Sequence, residues 1–234
     1  MLDINSPMSV DGANNDAILD AFEIRVLAVL AEKEALTPDN YPLSLNTLTN
    51  GCNQLSSRDP VMAISESTVQ DVLQRLTQRK LVAEVNQAGG RVPKYEHRMR
   101  LKWTLEQDKV AVLTTLMLRG AQTAGELRTR TGRQYEFTSV AQVETALQFL
   151  IDKYPPLVAR LAKNPGTKEP RYAHLLAGED ALEQYAIAEA LGGSAVQRSE
   201  RHDKIAALED EVIALKQQVA DLGAQFAEFK RQFE

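Results

Sequence analysis

A row of uncharged polar side chains recurs at three- and four-residue intervals in the first half of the chain: Ser67, Gln70, Gln74 and Gln78. In an α-helix this spacing places the whole row on one face. A glutamine amide donates and accepts hydrogen bonds together, and its shape matches the edge of adenine in the DNA major groove. The row is therefore typical of a helix that reads base edges.

Basic side chains stand close to this row in the sequence. Cations hold DNA through its phosphates, which adds affinity without reading the order of the bases. We therefore predict a site for double-stranded DNA in which the polar row reads bases and four basic residues hold phosphates, namely Arg75, Arg79, Arg91 and Lys94. For Arg91, a purely structural role in its turn stays open as an alternative.

The element that carries the polar row is a predicted helix that leads directly into a two-stranded β-ribbon. Ser65 is placed to cap this helix, since its hydroxyl can accept from a first-turn N–H. The opposite face carries an apolar stripe that must be buried, made of Val69, Val72, Leu73 and Leu76. At Leu81 the period changes to two, glycines 89 and 90 supply a turn, and residues 94–99 form the return strand. This order is typical of the reading half of a winged helix-turn-helix.

Two earlier helices complete a predicted first winged-helix domain over residues 16–103. The first covers Ala17–Glu34 and ends before Pro38 and Pro42, because proline removes a backbone donor and clashes with the preceding turn. Ser44 caps the second, which extends to about Leu55. Residues 1–15 are polar and are predicted to be disordered.

The same pattern recurs 74 to 77 positions later, which predicts a second winged-helix domain over residues 104–178. The matched pairs include Val69 with Val143, Leu73 with Leu147, Tyr95 with Tyr172 and His97 with His174. The supporting helices are predicted over Lys109–Leu118 and Thr123–Thr131, and the counterpart of the reading helix over Ser139–Lys153. Since the outward positions of that last helix hold no basic residue before Lys153, we expect this domain to act as a backbone clamp, dimer contact or spacer. The matched histidines point to a shared structural role, such as a hydrogen bond from ribbon to core.

The end of the chain has a different character. Residues 179–194 are predicted as a short helix and a glycine hinge, and residues 195–234 as a coiled-coil helix with a heptad seam. β-branched residues at the first a positions and leucine at the first d positions favour a parallel homodimer, and folding back onto the same chain is the alternative. The predicted dimerisation residues are Ile205, Leu208, Val212, Leu215, Val219, Leu222, Phe226 and Phe229, followed by Phe233.

Charge is distributed unevenly along the 234 residues. The formal net charge is −5, yet residues 65–178 hold 18 Lys/Arg against 11 Asp/Glu, whereas the flanking regions are each net −6. Phosphate binding depends on local basic surface, so the acidic total does not exclude a nucleic-acid partner.

Composition narrows the classes of protein to which the chain could belong. With 44% hydrophobic and 25% charged residues the chain is ordinary globular material with enough apolar residues for two moderate cores. It has no signal-peptide pattern and no membrane span, so we expect a cytoplasmic protein without a membrane partner. Cys52 is the single cysteine, which excludes an internal disulfide, and we expect it to be core filler. Neither a metal cluster, a cofactor motif nor a nucleophile and base pair is evident, so we expect no metal, no cofactor and no catalytic residues.

Several short motifs stand out between residues 22 and 178: Glu-Lys-Glu at 32–34, Thr-Pro at 37–38, Tyr-Pro-Leu-Ser at 41–44, Cys-Asn-Gln at 52–54, Pro-Val-Met at 60–62, Lys-Tyr-Glu-His-Arg at 94–98, Leu-Arg-Gly at 118–120 and Gly-Glu-Leu-Arg-Thr-Arg-Thr at 125–131. Together they resemble the YceH-like proteins, a bacterial family of uncharacterised proteins built from two winged helices. The resemblance implies the tandem winged-helix fold and DNA binding, but no activity or ligand.

The sequence therefore predicts an α+β protein, mainly α, with two winged helix-turn-helix domains in tandem and a C-terminal coiled-coil helix. We expect a dimeric DNA-binding protein, a transcriptional regulator that uses the first winged helix as its reader. The alternative is a non-enzymatic assembly or scaffold protein with a protein partner, similar to the chromosome segregation and condensation protein B class. Glu66 and Asp71 on the reading helix suit that alternative.

Overall fold

A computed structural model describes residues 18–85, 92–162, 169–179 and Leu182. Within these ranges the chain is a mixed α+β protein with seven α-helices, one short 3₁₀ turn and two small antiparallel sheets. The predictions for residues 1–15, for Arg91 and for the helix, hinge and coiled coil of residues 179–234 fall almost wholly outside the described residues.

The first unit contains a helical core and a three-stranded sheet. Its elements are α1 (Ala21–Leu36), a 3₁₀ turn (Pro38–Asn40), β1 (Leu43–Ser44), α2 (Leu45–Cys52), α3 (Glu66–Gln78), β2 (Val82–Val85), β3 (Lys94–His97) and α4 (Met99–Trp103). The strand order is β1-β3-β2, with Leu43 opposite Tyr95 and Val82 opposite His97. The sequence pattern did not predict β1, because two residues are too few to show an alternating period.

The second unit repeats this order of elements. It contains α5 (Gln107–Arg119), β4 (Gln122–Thr123), α6 (Ala124–Thr131), α7 (Val140–Ile151), β5 (Val158–Arg160) and β6 (Arg171–His174). The strand order is β4-β6-β5, with Gln122 opposite Tyr172 and Val158 opposite His174. Both units thus share the same order of elements along the chain, namely helix, strand, helix, helix, strand and strand.

Side-chain caps fix where the helices begin. The predicted cap of α3 is confirmed, because the Thr68 backbone N–H donates to the Ser65 hydroxyl at 3.1 Å. Ser44 and Ser139 cap α2 and α7 in the same way. In α1 the predicted start at Ala17 is wrong, because Asp20 and Glu23 form a reciprocal capping box that starts the helix at Ala21.

The hydrophobic core does not divide between the two units. Helices α1 and α5 pack against each other, and each is buried on nearly every side over Val26–Ala31 and Val110–Leu118. One cluster of buried side chains therefore continues from the first unit into the second. A helix that is apolar all round needs neighbours all round, and here its own unit covers one side and the other unit covers the opposite side.

Candidate nucleic-acid interface

Helix α3 separates into a buried stripe and an exposed face. The predicted apolar stripe is confirmed, since Val69, Val72, Leu73 and Leu76 are each no more than 2% exposed. The predicted polar row lies on the opposite side, where Ser67, Gln70, Gln74 and Gln78 are all exposed. The helix therefore leaves amide and hydroxyl groups exposed on one face while its other face packs in the core.

The first turn of α3 is partly acidic. Glu66 accepts a hydrogen bond from the Asn46 side-chain amide at 2.8 Å, which ties α3 to α2. Asp71 is exposed one turn further along the same helix. Because both carboxylates lie beside the polar row, they would repel a phosphate that approached this end of α3.

Arg75 is bound to two carboxylates at the start of α1. Its guanidinium lies 2.7 Å from Asp20 Oδ2 and 3.2 Å from Glu23 Oε1. Burial is the largest single influence on the pKa of Arg75 and lowers it, but the hydrogen bonds and charges of Glu23 and Asp20 together outweigh burial and raise the pKa above its usual value. The side chain is still 45% exposed, so this ion pair remains in contact with solvent.

Arg79 is held more tightly in the same cluster. Its guanidinium lies 2.9 Å from Glu23 Oε2 and donates to the Ile18 carbonyl at 2.7 Å, and its side chain is only 16% exposed. Arg75 and Arg79 therefore fasten the last turn of α3 to the capping box of α1. A phosphate contact from either arginine would require exchange of these ion pairs, and their predicted contact with DNA stays a prediction.

Lys94 lies at the start of β3, half buried, where it pairs with Ser44 on one side and Val85 on the other. In the described part of the ribbon, Val85 and Lys94 are the pair nearest the turn. The prediction for Arg91 lies outside the described residues.

The equivalent helix of the second unit offers a different surface. Ala141, Gln142, Thr145 and Gln148 face outward as predicted. Two of these side chains already bind within the chain, because Gln142 accepts from the Thr138 backbone at 3.0 Å and Gln148 donates to Asp152 at 2.7 Å. Phe149 is also exposed and carries the ammonium groups of Lys109 and Lys153 over its ring. This face lacks the unbroken polar row of α3.

The matched histidines do not share the same bonding. His97 Nε2 lies 3.0 Å from Glu34, and its Nδ1 accepts from the Met99 backbone, so it joins the ribbon to α1 as expected. His174 occupies the equivalent position in β6, but its Nδ1 has no hydrogen-bond partner among the described residues. Burial lowers the pKa of His174 to about 4, so this imidazole is neutral at physiological pH.

A buried polar cluster beneath α2 is the main feature that sequence reasoning missed. Arg58 makes a bidentate ion pair with Glu32 at 3.1 and 2.6 Å and also donates to the Gly51 carbonyl. Burial opposes ionisation of Glu32, but the contact with Arg58 outweighs it and lowers the pKa of Glu32. No sequence pattern joins residues 26 positions apart, although an arginine between proline and serine residues in a long connection was a possible signal.

The structure also bears on the cysteine, on metal binding and on membrane spans. Cys52 is buried as expected, and burial raises the pKa of its thiol to about 12, which leaves no thiolate to act as a nucleophile. In the described ranges, no three His, Cys, Asp or Glu side chains are grouped closely enough to hold a metal ion. None of the helices described has the length and apolar character needed to cross a membrane.

Comparison with known proteins identifies the family. A family model described as a protein of unknown function, DUF480, matches residues 19–167. A UPF0502 protein of Janthinobacterium sp. (strain Marseille) is 64% identical over 221 residues, which covers 94% of both chains. A UPF0502 protein of Geobacter sulfurreducens is 46% identical over 219 residues, covering 94% of this chain and 100% of its own. The chain therefore belongs to the DUF480/UPF0502 family of bacterial proteins, which confirms the family resemblance indicated by its motifs.

Proposed function

We propose that each unit is a winged-helix domain and that the protein is a cytoplasmic, non-enzymatic DNA-binding regulator of transcription. Support for the fold comes from the shared order of elements and from the matching strand orders β1-β3-β2 and β4-β6-β5. In this arrangement α3 and α7 occupy the position of a reading helix, and the β2–β3 and β5–β6 ribbons the position of wings.

The observation that carries the DNA proposal is the exposed row of Ser67, Gln70, Gln74 and Gln78 on α3. Residues of a reading helix must be rigidly positioned yet leave their hydrogen-bonding groups available to base edges. The buried stripe and the Ser65 cap fix α3, while the amide row points away from the core. We therefore assign base contacts to this row, with glutamine pairing to adenine as the simplest contact.

Phosphate contacts would come from the flanks of α3. Lys94 stands at the turn end of the β2–β3 ribbon, Arg75 in the last turn of α3 and Arg79 at its C-terminal cap, and Arg91, which lies outside the described residues, is kept as a further candidate. Because Arg75 is exposed, its ion pair with Asp20 is worth little in solution, so a DNA phosphate can replace the carboxylate at small cost. Arg79 is less exposed, and we assign it the weaker contribution.

The C-terminal heptad pattern supports a homodimer that would present two copies of α3 to one duplex. Two readers related by a twofold axis favour a palindromic site, with half-sites about one helical turn apart.

Selection from a pool of random DNA duplexes by the full-length protein tests this proposal. We expect enrichment of a site with twofold symmetry, and affinity that falls steeply as salt is raised. Recovery of no duplex even at low salt would contradict the assignment. The same selection with the Arg75→Ala, Lys94→Ala variant should yield the same site at lower affinity and with a shallower salt dependence.

One observation favours the alternative of a protein assembly factor. Asp20, Glu23, Glu66 and Asp71 place four carboxylates beside α3, and two of them already neutralise its arginines. A balanced surface with exposed amides also suits contact with another protein. In that case a stoichiometric protein partner would co-purify with the full-length chain, and the random-duplex selection would return nothing.

A further inference from the structure

Glu66 extends a ridge of exposed side chains on α3. Gln70, Gln74 and Gln78 follow one another at intervals of four residues, and Glu66 stands one such interval earlier, as the first residue of the helix. Side chains four residues apart form a continuous ridge along an α-helix. All four are exposed, so a partner that contacts this ridge meets a carboxylate at its N-terminal end and amides along the rest.

The Glu66 carboxylate is oriented by two amides of α2. Asn50 Nδ2 donates to Asn46 Oδ1 at 3.2 Å, and Asn46 Nδ2 donates to Glu66 Oε1 at 2.8 Å. The first bond engages the oxygen of the Asn46 amide, so that its NH₂ group is turned towards α3. Within the described residues, the second oxygen of Glu66 has no hydrogen bond and remains able to accept one.

The negative charge of Glu66 is not neutralised by the protein in the part of the chain that the structure describes. The Asp20 carboxylate, by contrast, forms an ion pair with Arg75. Glu66 bonds to the neutral amide of Asn46 and to no cation in the described ranges. An unneutralised carboxylate on a face that meets DNA weakens the attraction to phosphates, so phosphate binding does not account for its place on the ridge.

The chemistry of a carboxylate selects among the four bases, because it accepts hydrogen bonds and donates none. In the major groove, cytosine presents an amino donor with no acceptor on the same base. Adenine places its N7 acceptor beside its amino group, and guanine and thymine present acceptors. Since an acceptor next to a carboxylate repels it, cytosine is the base that Glu66 suits best.

We propose that Glu66 determines specificity by contacting a cytosine in the major groove, with Asn46 as a positioning residue. This inference rests on the proposed DNA-binding function of α3. With a rise of about 1.5 Å per residue, Glu66 and Gln70 stand about 6 Å apart along the helix, which is about two base pairs of 3.4 Å. Each half-site therefore contains a cytosine about two base pairs from an adenine contacted by Gln70.

Selection from random DNA duplexes by the full-length Glu66→Gln variant tests this contact. A glutamine oxygen can still accept from Asn46, but a glutamine amide matches adenine rather than cytosine. We expect the cytosine of the parent site to be replaced by adenine. Fluorescence anisotropy with two duplexes that differ at this base pair should show a preference for cytosine of about tenfold in the parent chain and a reversed preference in Glu66→Gln. Glu66→Ala should bind both duplexes alike.

Asp71→Asn is the matched control, because Asp71 is an exposed carboxylate on the same helix that lies off the ridge. It removes the same charge, so it should share any general gain in affinity from weaker repulsion of phosphates. It should keep the preference for cytosine. Asn46→Ala should reduce that preference without replacing cytosine by another base, and an unchanged preference would contradict the positioning role of Asn46. Circular dichroism confirms that each variant is folded.

The outcomes separate the cytosine contact from the proposed function. If the parent chain selects a site, but Glu66→Gln and Glu66→Ala keep its preference at every base pair, Glu66 has only a structural role at the start of α3. A parent site without a fixed cytosine, or a changed preference at that base pair in Asp71→Asn, would also overturn the assignment. Recovery of no duplex by the parent chain would instead reject DNA binding as a whole, and the cytosine contact with it.

Discussion

In each unit a buried side chain anchors the connection that precedes the outward-facing helix, α3 or α7. The chemistry of that side chain differs between the two units. In the first unit, the connection from α2 to α3 is anchored by Arg58, whose fully buried guanidinium binds Glu32 of α1. In the second unit, the shorter connection from α6 to α7 is anchored by Phe137, which is 4% exposed and packs edge-to-face against Tyr135. One unit thus uses a buried charge where the other uses an aromatic ring.

This difference shows that the first connection has an additional role. A buried ion pair rarely adds net stability over a well-packed apolar contact, so its value lies in directional bonding. The Arg58 connection also contacts the second unit, because the Asp59 backbone N–H donates to the Leu118 carbonyl and Ser57 accepts from Arg119. Phe137 is a buried side chain within its own unit, whereas Arg58 positions a segment that contacts both units.

The largest effect should come from removing the charged anchor. Arg58→Ala leaves Glu32 buried without its partner, and we expect a loss of about 3–5 kcal/mol in the free energy of unfolding. Urea denaturation followed by circular dichroism measures this change. Arg128→Ala removes an exposed arginine whose one long hydrogen bond, at 3.4 Å, goes to the Phe137 carbonyl, and it should cost no more than about 1 kcal/mol. A loss below 1 kcal/mol for Arg58→Ala would show that the connection does not depend on this ion pair.

The two units also differ at their matched histidines, His97 and His174, and this difference can be tested through the pH dependence of stability. Burial lowers the pKa of His174 from 6.5 to about 4, so the unfolded chain binds this proton more readily than the folded chain. Stability from this residue is therefore present above pH 6.5 and is lost as pH falls towards 4, by roughly 3 kcal/mol in total.

His174→Leu should remove that part of the pH dependence, because the variant has no group to protonate at this position. Stability at pH 7.5 should be nearly unchanged, because the imidazole it replaces is neutral there. Urea denaturation of both proteins between pH 7.5 and 4 measures the two slopes. If His174→Leu lost stability in acid as steeply as the parent chain, His174 would not be the group that titrates.

A smaller effect should separate the two roles of Asp20. Asp20→Ala removes the cap of α1, and we expect a loss of about 1 kcal/mol. Asp20→Asn keeps an oxygen for the Glu23 backbone N–H but loses the charge that pairs with Arg75, and it should cost only a few tenths of a kcal/mol. Thermal denaturation distinguishes the two variants. An equal, large loss in Asp20→Asn would mean that the Arg75 ion pair is strong and that DNA phosphates could not easily replace Asp20.

Local patterns in the sequence predicted the local features well. The Ser44 and Ser65 caps and the apolar stripe of α3 depend on residues three or four apart, and the structure confirms them. The continuous core had a visible signal, because the unbroken apolar run Val26–Ala31 is too wide for one face of a surface helix.

Contacts between distant residues could not be predicted in this way. Arg75 and Arg79 were expected to be available to phosphates, yet they bind carboxylates more than 50 positions earlier in the chain. No periodicity joins such residues, and only the packing of α3 against α1 brings them together. The same reason explains why the Arg58 and Glu32 pair was missed.

The proposed division of labour between the two units is tested most directly by one matched pair of variants. Gln74 on α3 and Gln148 on α7 lie 74 positions apart at equivalent places, and both are exposed. Binding of the selected duplex, measured by fluorescence anisotropy, should weaken by about 5- to 150-fold in Gln74→Ala, the range expected for one lost base contact. Gln148→Ala should bind as the parent chain does. Equal affinities for all three proteins, or a larger loss in Gln148→Ala, would contradict α3 as the reader.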